Sequence, residues 1–116
     1  MSLPISITKL FSPVQLATSA SLIFFIDPAV VSNVMKNARV RFSNVTGSDT
    51  TVTAYAVSKG LSPAANNCFM FQVPVLVHEY VDVDIPVLGA GDALWALAAA
   101  GAAVTVSSMD GVLYST

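Results

Sequence analysis

The chain has 116 residues, of which 54% are hydrophobic and 10% charged, and its formal net charge is −2 at pH 7. Its five lysines and arginines cannot form the broad basic surface that binds phosphates by releasing counterions, which excludes a nucleic-acid partner. The length fits one domain, and soluble domains on average carry about 25% charged residues. Because so small a domain cannot bury all of this apolar surface, we expect part of its outside to lie against other subunits.

The first third of the chain predicts short strands separated by turns. Residues 5–11 fit one strand, and residues 22–26 form a compact apolar strand that an Asp-Pro pair ends. Residues 29–37 fit either a helical turn or a loop followed by a strand. We expect residues 1–37 to form an N-terminal arm and the first strands, part of or packed on a sandwich body at 38–116, within a single domain.

Residues 38–57 have the clearest strand pattern in the chain. Ala38, Val40 and Phe42 alternate with charged and polar residues, which indicates one buried side and one side facing water. The turn-forming residues 44–50 then lead into a second strand, in which threonine and tyrosine alternate with smaller apolar residues. The segment therefore predicts strand, turn and strand.

The middle of the chain predicts two more strands. After a loop at 58–67, residues 69–73 alternate again. Pro74 either ends this strand or places it at the edge of a sheet, because proline has no N–H for the ladder. In residues 80–85, three aliphatic side chains face inwards and alternate with a tyrosine and two aspartates that face outwards.

The last third predicts hairpins. Residues 89–92 form a tight turn, and residues 94–97 begin a long strand. The alanine-rich stretch 98–103 has helical propensity, but Gly101 and the β-rich segments on both sides favour a hairpin corner. The dipeptide at 110–111 is an Asp-Gly turn signal. Together these elements predict an all-β fold: a jelly-roll-like β-sandwich of about seven to nine antiparallel strands.

Two stretches carry a resemblance: FSNVTGSDTTVTAYAVSKG at 42–60 and VDVDIPVLGAGDALWALAAAGAAVTVSSMDGV at 81–112. Over residues 38–113 the chain resembles a family of small β-sandwich virion proteins of tailed bacteriophages. That family runs through a strand, a polar turn, a Thr-Val-Thr-rich strand and a Ser-x-Gly loop. It ends in a Val-Leu-x-Ala-Gly-Asp-x-Leu-x-Ala turn and an alanine-rich hairpin. The chain departs from the pattern in residues 1–37 and in its apolar turn at 74–79.

The resemblance implies a non-enzymatic structural protein of the virion, in capsid decoration, neck or tail, made in the cytoplasm of its bacterial host. Its partners would be copies of itself in a symmetric homo-oligomer, and other capsid or tail proteins. No membrane partner is expected, because a spanning helix needs about 20 consecutive apolar residues and the apolar runs of this chain are shorter. The alternative is a carbohydrate- or receptor-binding fibre or adhesin module with Trp95 and Tyr80 as a stacking platform; the apolar run around Trp95 favours core or interface instead.

Residues with catalytic or metal-binding chemistry are few. Cys68 and His78 lack a third group to orient them, and a single cysteine cannot form an intrachain disulfide. Asp82 and Asp84 share one face of a strand and keep that face in water, whereas a calcium site would need more oxygen ligands. We predict no enzymatic activity, no metal and no cofactor. The Asn-x-Thr pattern that begins at Asn44 is interpreted as a turn.

Three segments are predicted to contact neighbouring subunits: the N-terminal arm at 3–11, the loop at 61–69 and the apolar turn at 75–77. The candidate contact residues are Leu3, Ile5, Ile7, Phe11, Leu61, Phe69, Val75, Leu76 and Val77. Changing both valines of the apolar turn to aspartate is expected to leave a folded subunit that no longer assembles.

Overall fold

The computed structural model describes residues 5–7, 11–27 and 34–114, and in them the chain forms ten strands and one short 3-10 helix. The strands are β1 (Ile5–Ile7), β2 (Val14–Gln15), β3 (Ser21–Phe25), β4 (Val34–Asn44), β5 (Thr50–Val57), β6 (Cys68–Val75), β7 (Tyr80–Asp84), β8 (Leu88–Gly89), β9 (Ala93–Ala98) and β10 (Val104–Tyr114). The 3-10 helix, Ala65–Asn67, lies between β5 and β6. None of the described residues belongs to a helix long and apolar enough to cross a membrane.

The strands form two antiparallel sheets. The first has the order β1-β10-β4-β7, with β2 paired to β10 and β8 paired to β4, and the second has the order β3-β9-β5-β6. If the eight strands of three or more residues are numbered along the chain, the sheets read 1-8-3-6 and 2-7-4-5, which is the jelly-roll order. The predicted all-β, jelly-roll-like sandwich is confirmed.

The core lies between the two sheets and is built from alternating side chains. Along β4, Ala38, Val40 and Phe42 are at most 1% exposed, whereas Arg39 between them is exposed, as the alternation predicts. The second sheet faces them with Leu94 and other fully buried residues of β5 and β9. Removing these side chains from water is the main stabilising contribution to such a fold.

Leu16 belongs to the core, although the small and polar residues that follow it in the sequence did not indicate burial. It is 1% exposed, and its backbone N–H donates to the carbonyl of Val104 at 2.9 Å. Its carbonyl in turn accepts from the N–H of Ala102 at 3.2 Å. These bonds hold the segment after β2 against the start of β10, so backbone pairing to the distant β9–β10 turn places Leu16 inside.

The chain turns at two of the three predicted corners, but neither turn closes a hairpin, because β8 and β10 belong to the first sheet and β9 to the second. The chain turns at 99–102 between β9 and β10, and it turns at 89–92, where Gly91 has a φ of +84°. At Asp110 and Gly111 it does not turn, because β10 continues to Tyr114. Nine of the eleven residues of β10 pair with residues of β4, and register shifts on both sides of Asp110 accommodate the dipeptide as irregularities within the strand.

Candidate assembly surface

The outer side of the first sheet is charged, and its charges pair across neighbouring strands. Arg41 on β4 donates two hydrogen bonds to Asp82 on β7, from Nε at 2.8 Å and from Nη2 at 3.0 Å. The Nε atom of Arg39 lies 3.1 Å from a carboxylate oxygen of Asp84. The guanidinium of Arg41 also lies 3.8 Å from the ring centroid of Tyr80. This outer surface of β4 and β7 is therefore polar and locally neutralised.

The ion pairs give Asp82 and Asp84 cationic neighbours on β4. Both are exposed and both touch an arginine, so they lie on the solvent side of an edge strand as the sequence predicts. Within residues 5–7, 11–27 and 34–114, no group of three or more His, Cys, Asp or Glu side chains is arranged to hold a metal ion. Exposed pairs of this kind contribute little to stability, but charge on β7 discourages pairing with a foreign strand.

The hydrogen bond from Arg41 lowers the pKa of Asp82 below its ordinary value, and the same bond raises the pKa of Arg41. Because the folded pKa lies below the unfolded one, the stabilisation is present above the unfolded pKa and is lost as pH falls through the folded pKa. We expect the Asp82 carboxyl resonance, followed by NMR between pH 2 and 6 (roughly, the range of carboxyl titration), to titrate at lower pH than in an Arg41→Gln variant. Lys59→Gln, which removes a cation of the 58–60 loop, is the control; an equal displacement in both variants would contradict the assignment.

The outer side of the second sheet is apolar. On β9, Leu94, Ala96 and Ala98 are fully buried against the core, so the alternating Trp95 and Leu97 project outwards. The strand register extends this row across the sheet, since Trp95 pairs with Leu22 on β3 on one side and with Tyr55 on β5 on the other. The outer apolar face is defined here as the side chains of Leu22, Phe25, Tyr55, Trp95 and Leu97.

Two members of the outer apolar face are strongly exposed at the edge of the sheet. Leu22 is 47% exposed and Phe25 is 56% exposed, and both belong to the edge strand β3. With Trp95 and residues 57–61 they enclose a groove of about 240 Å³. Leu61, which is 62% exposed, stands on the loop that borders this groove.

The loop that borders the groove is held in place by Asp92. The carboxylate of Asp92 accepts from the N–H of Lys59 at 3.1 Å and from the N–H of Gly89 at 2.8 Å. The aliphatic part of the Lys59 side chain lies over Gly91, where a Cβ would come within 2.7 Å of it. The Ala-Gly-Asp turn between β8 and β9 therefore fixes the position of the 58–60 loop and forms one wall of the groove.

The predicted contact residues are spread over the fold. Phe11 packs on the core and stacks on Phe24 with ring centroids 5.3 Å apart, and Phe69 is also partly buried against the core. Ile5 and Ile7 lie on β1, whose backbone pairs with β10, and their side chains, like all of Leu3, lie outside the described residues. Leu61 borders the outer apolar face.

The apolar turn after β6 divides into buried and exposed positions. Val75 is fully buried in the core, Leu76 is 47% exposed, and Val77 is half-buried with its N–H donating to Asp49 at 2.9 Å. The side chain of Val75 therefore contacts this chain's own core, while Leu76 faces solvent. Sequence reasoning missed Leu22, Phe25 and the partners of Trp95; the signal in the sequence was the alternation of alanines with Trp95 and Leu97.

The groups considered for chemistry lie apart. Cys68 begins β6 and donates a weak hydrogen bond to the carbonyl of Met70, while exposed His78 lies in the turn beyond the other end of that strand. Trp95 and Tyr80 belong to different sheets, so they do not form a common stacking platform. Asn44 is 4% exposed and its amide is hydrogen-bonded within the fold, so the Asn-x-Thr pattern is part of a turn.

Comparison with known proteins finds structures with a similar fold but no related sequence. No family model matches the chain, and no curated protein matches it in sequence. A protein of the Bacillus endospore appendages, described as a novel family of disulfide-linked pili, is similar in structure with a TM-score of 0.57 and 16% identity, covering 100% of this chain and 91% of its own. A protein of the infectious bursal disease virus Gt strain has a TM-score of 0.46 and 9% identity, covering 97% of this chain and 32% of its own. The appendage protein shares the fold.

Proposed function

We propose that this chain is a non-enzymatic structural subunit that assembles with copies of itself through its outer apolar face, as a component of a tailed-bacteriophage virion. The observation that carries the proposal is the contrast between the two outer sides of the sandwich. One side has paired charges at Arg41 and Asp82, and the other presents Leu22, Phe25 and Trp95. Soluble monomers rarely expose a large contiguous apolar face, and such exposed patches mark interaction sites.

The outer apolar face has the size of an interface core. A large aromatic side chain buries about 150–250 Å² when fully covered, so Phe25 at 56% exposure presents on the order of 100 Å². Together the five residues of the face and the bordering Leu61 supply roughly half of the ~800 Å² that one partner contributes to a standard interface. The less apolar surroundings of the groove would supply the rest as a rim.

The virion role rests on the order of motifs in residues 42–60 and 81–112, which resembles small virion proteins of tailed bacteriophages. The jelly roll is a fold used in viral capsids. The proposed partners are copies of this chain and other capsid or tail proteins. The second candidate is a filament subunit, which the appendage protein favours because the two chains match over nearly their whole lengths.

Assembly is tested by measuring the mass of the purified chain in solution over a wide concentration range, by size-exclusion chromatography with light scattering. We expect a wild-type oligomer, and a monomer for the double variant Leu22→Asp, Phe25→Asp, because opposing carboxylates would be buried at the contact. Val45→Asp, Val87→Asp is the matched control, since those valines are 53% and 61% exposed outside the outer apolar face. A wild type that stays monomeric at all concentrations, or a Leu22/Phe25 variant that assembles normally, would refute the proposal.

Electron microscopy of the assembled chain separates the two candidates. Closed rings or shells, or decoration of a phage particle, would support the virion role, since closed symmetry produces a finite particle. Open fibres would favour the filament subunit, because a head-to-tail contact that does not close grows indefinitely. Rings, shells and fibres all require self-assembly, whereas dispersed single molecules would contradict either candidate.

A further inference from the structure

A β-bulge in β6 directs the side chain of Phe71 into solvent. The register of β6 against β5 pairs Val73 with Val52 and Met70 with Ala54, so two residues of β6, Phe71 and Gln72, stand opposite a single residue of β5. Gln72 has a φ of +47°, a conformation that costs energy for a residue with a side chain. Bulges of this kind re-aim side chains.

The bulge is held by a hydrogen bond. The N–H of Gln72 donates to the hydroxyl of Thr53 on β5 at 3.1 Å, and Thr53 is 4% exposed. As a result Phe71 stands 70% exposed, more than the other large hydrophobic side chains of the described residues. The fold therefore maintains an unfavourable backbone conformation with the effect of displaying an aromatic ring.

A groove of about 400 Å³ lies directly beside this ring. It is lined by Tyr55, Ala64, Ala65, Cys68 and Phe71 itself, and these side chains are uncharged. Its wall is braced, because the side chain of Asn67 accepts from the N–H of Ala64 at 2.9 Å and donates to the carbonyl of Ser62 at 2.9 Å. A cavity of about 150 Å³ holds benzene, so the groove has room for an aromatic ring.

We propose that Phe71 of one copy inserts into this groove on a second copy, while the second copy's Phe71 fills the groove on the first. A protruding ring and an adjacent groove on the same surface are self-complementary under a two-fold axis, which is the commonest symmetry of oligomers. An aromatic anchor in a pocket with small side chains is the usual centre of a protein interface.

The groove is also continuous with the outer apolar face, since Tyr55 lines the groove and pairs with Trp95. A second copy is favoured over a charged partner because neither the ring nor the groove lining presents a charge. The inference rests on the proposed function in requiring self-association, and it names one contact within that assembly.

The contact is tested by sedimentation velocity on two complementary variants. Phe71→Ser removes the ring, and Ala65→Trp fills the groove; each is expected to weaken association at least about thirtyfold, the loss typical of a central interface anchor. Val87→Ser, which truncates an exposed side chain between β7 and β8, should associate like the wild type. An equimolar mixture of the two variants should recover part of the association, because the ring kept by Ala65→Trp fits a groove whose other lining side chains Phe71→Ser leaves in place.

Cys68 provides an independent readout, because it lines the groove. Its reaction with a disulfide reagent should slow as the wild-type concentration rises through the association range, and should not depend on concentration in Phe71→Ser. If the wild type associates and Phe71→Ser associates equally, or if the mixed variants recover nothing, the contact is wrong while the proposed function stands. If the wild type never associates, or if Cys68 is blocked only by an added apolar ligand or peptide, a second copy is not the occupant.

Discussion

A Val75→Asp variant should be largely unfolded. Val75 is 0% exposed at the end of β6, and its carbonyl accepts a hydrogen bond from the buried side chain of Asn44 at 3.0 Å. Placing a carboxylate in an apolar core costs several kcal/mol even after its pKa shifts, and small domains have only about 5–15 kcal/mol of stability. Circular dichroism and urea denaturation measure the loss directly.

The neighbouring residue provides the control for this variant. Leu76→Asp changes an exposed side chain, so its urea midpoint should lie close to that of the wild type. The sequence predicts Val75 as a contact residue whose replacement by aspartate leaves a folded subunit. A Val75→Asp protein that folded normally and failed only to assemble would support that prediction and contradict the structural argument.

Asn44→Ala should be the second most damaging change, by roughly 3 kcal/mol, because buried hydrogen-bonding groups are costly to leave unsatisfied. The amide of Asn44 donates to the carbonyls of Ser48 and Val75 at 2.8 and 3.0 Å. Its oxygen accepts from the N–H and the hydroxyl of Thr46, both at 2.9 Å. One side chain thus joins the β4–β5 turn to the end of β6.

Thermal unfolding provides the measurement for Asn44. A loss of this size should lower the Tm by more than about 10 °C in a domain of about 100 residues. Asn66→Ala, at an exposed position of the 3-10 helix, is the matched control and should change the stability by less than about 0.5 kcal/mol. An Asn44→Ala protein that melts together with its control would show that the turn does not depend on this side chain.

Several features of the fold follow from short stretches of sequence. The alternation at Ala38, Val40 and Phe42 determines which side of β4 is buried, because successive side chains of a strand point in opposite directions. The turn at Gly91 and Asp92 depends on a glycine at positive φ and on a carboxylate that accepts nearby N–H groups, both of which are local chemistry. Pro74 is expected either to end its strand or to lie at a sheet edge, and it lies on the edge strand β6, which continues to Val75.

Other features depend on partners that are distant in sequence. Asp110 and Gly111 form a turn in many proteins, but here the pairing of β10 with β4 carries the strand through them. The burial of Val75 and the exposure of Phe71 are equally non-local, since the bulge in β6 changes which side chains face the core. A shift of one residue in register moves every later side chain to the opposite face, and no pattern within β6 reveals it.

Local sequence patterns predict an all-β sandwich, the position of most strands and turns, and an apolar excess that requires a partner. These are consequences of residue type and period, which act over a few neighbouring residues. The location of this excess depends on the whole fold: it lies on the second sheet at Leu22, Phe25 and Trp95 and beside the groove at Phe71. A surface patch joins side chains from several strands, and the strand order and register that place them together are set by packing of the whole chain.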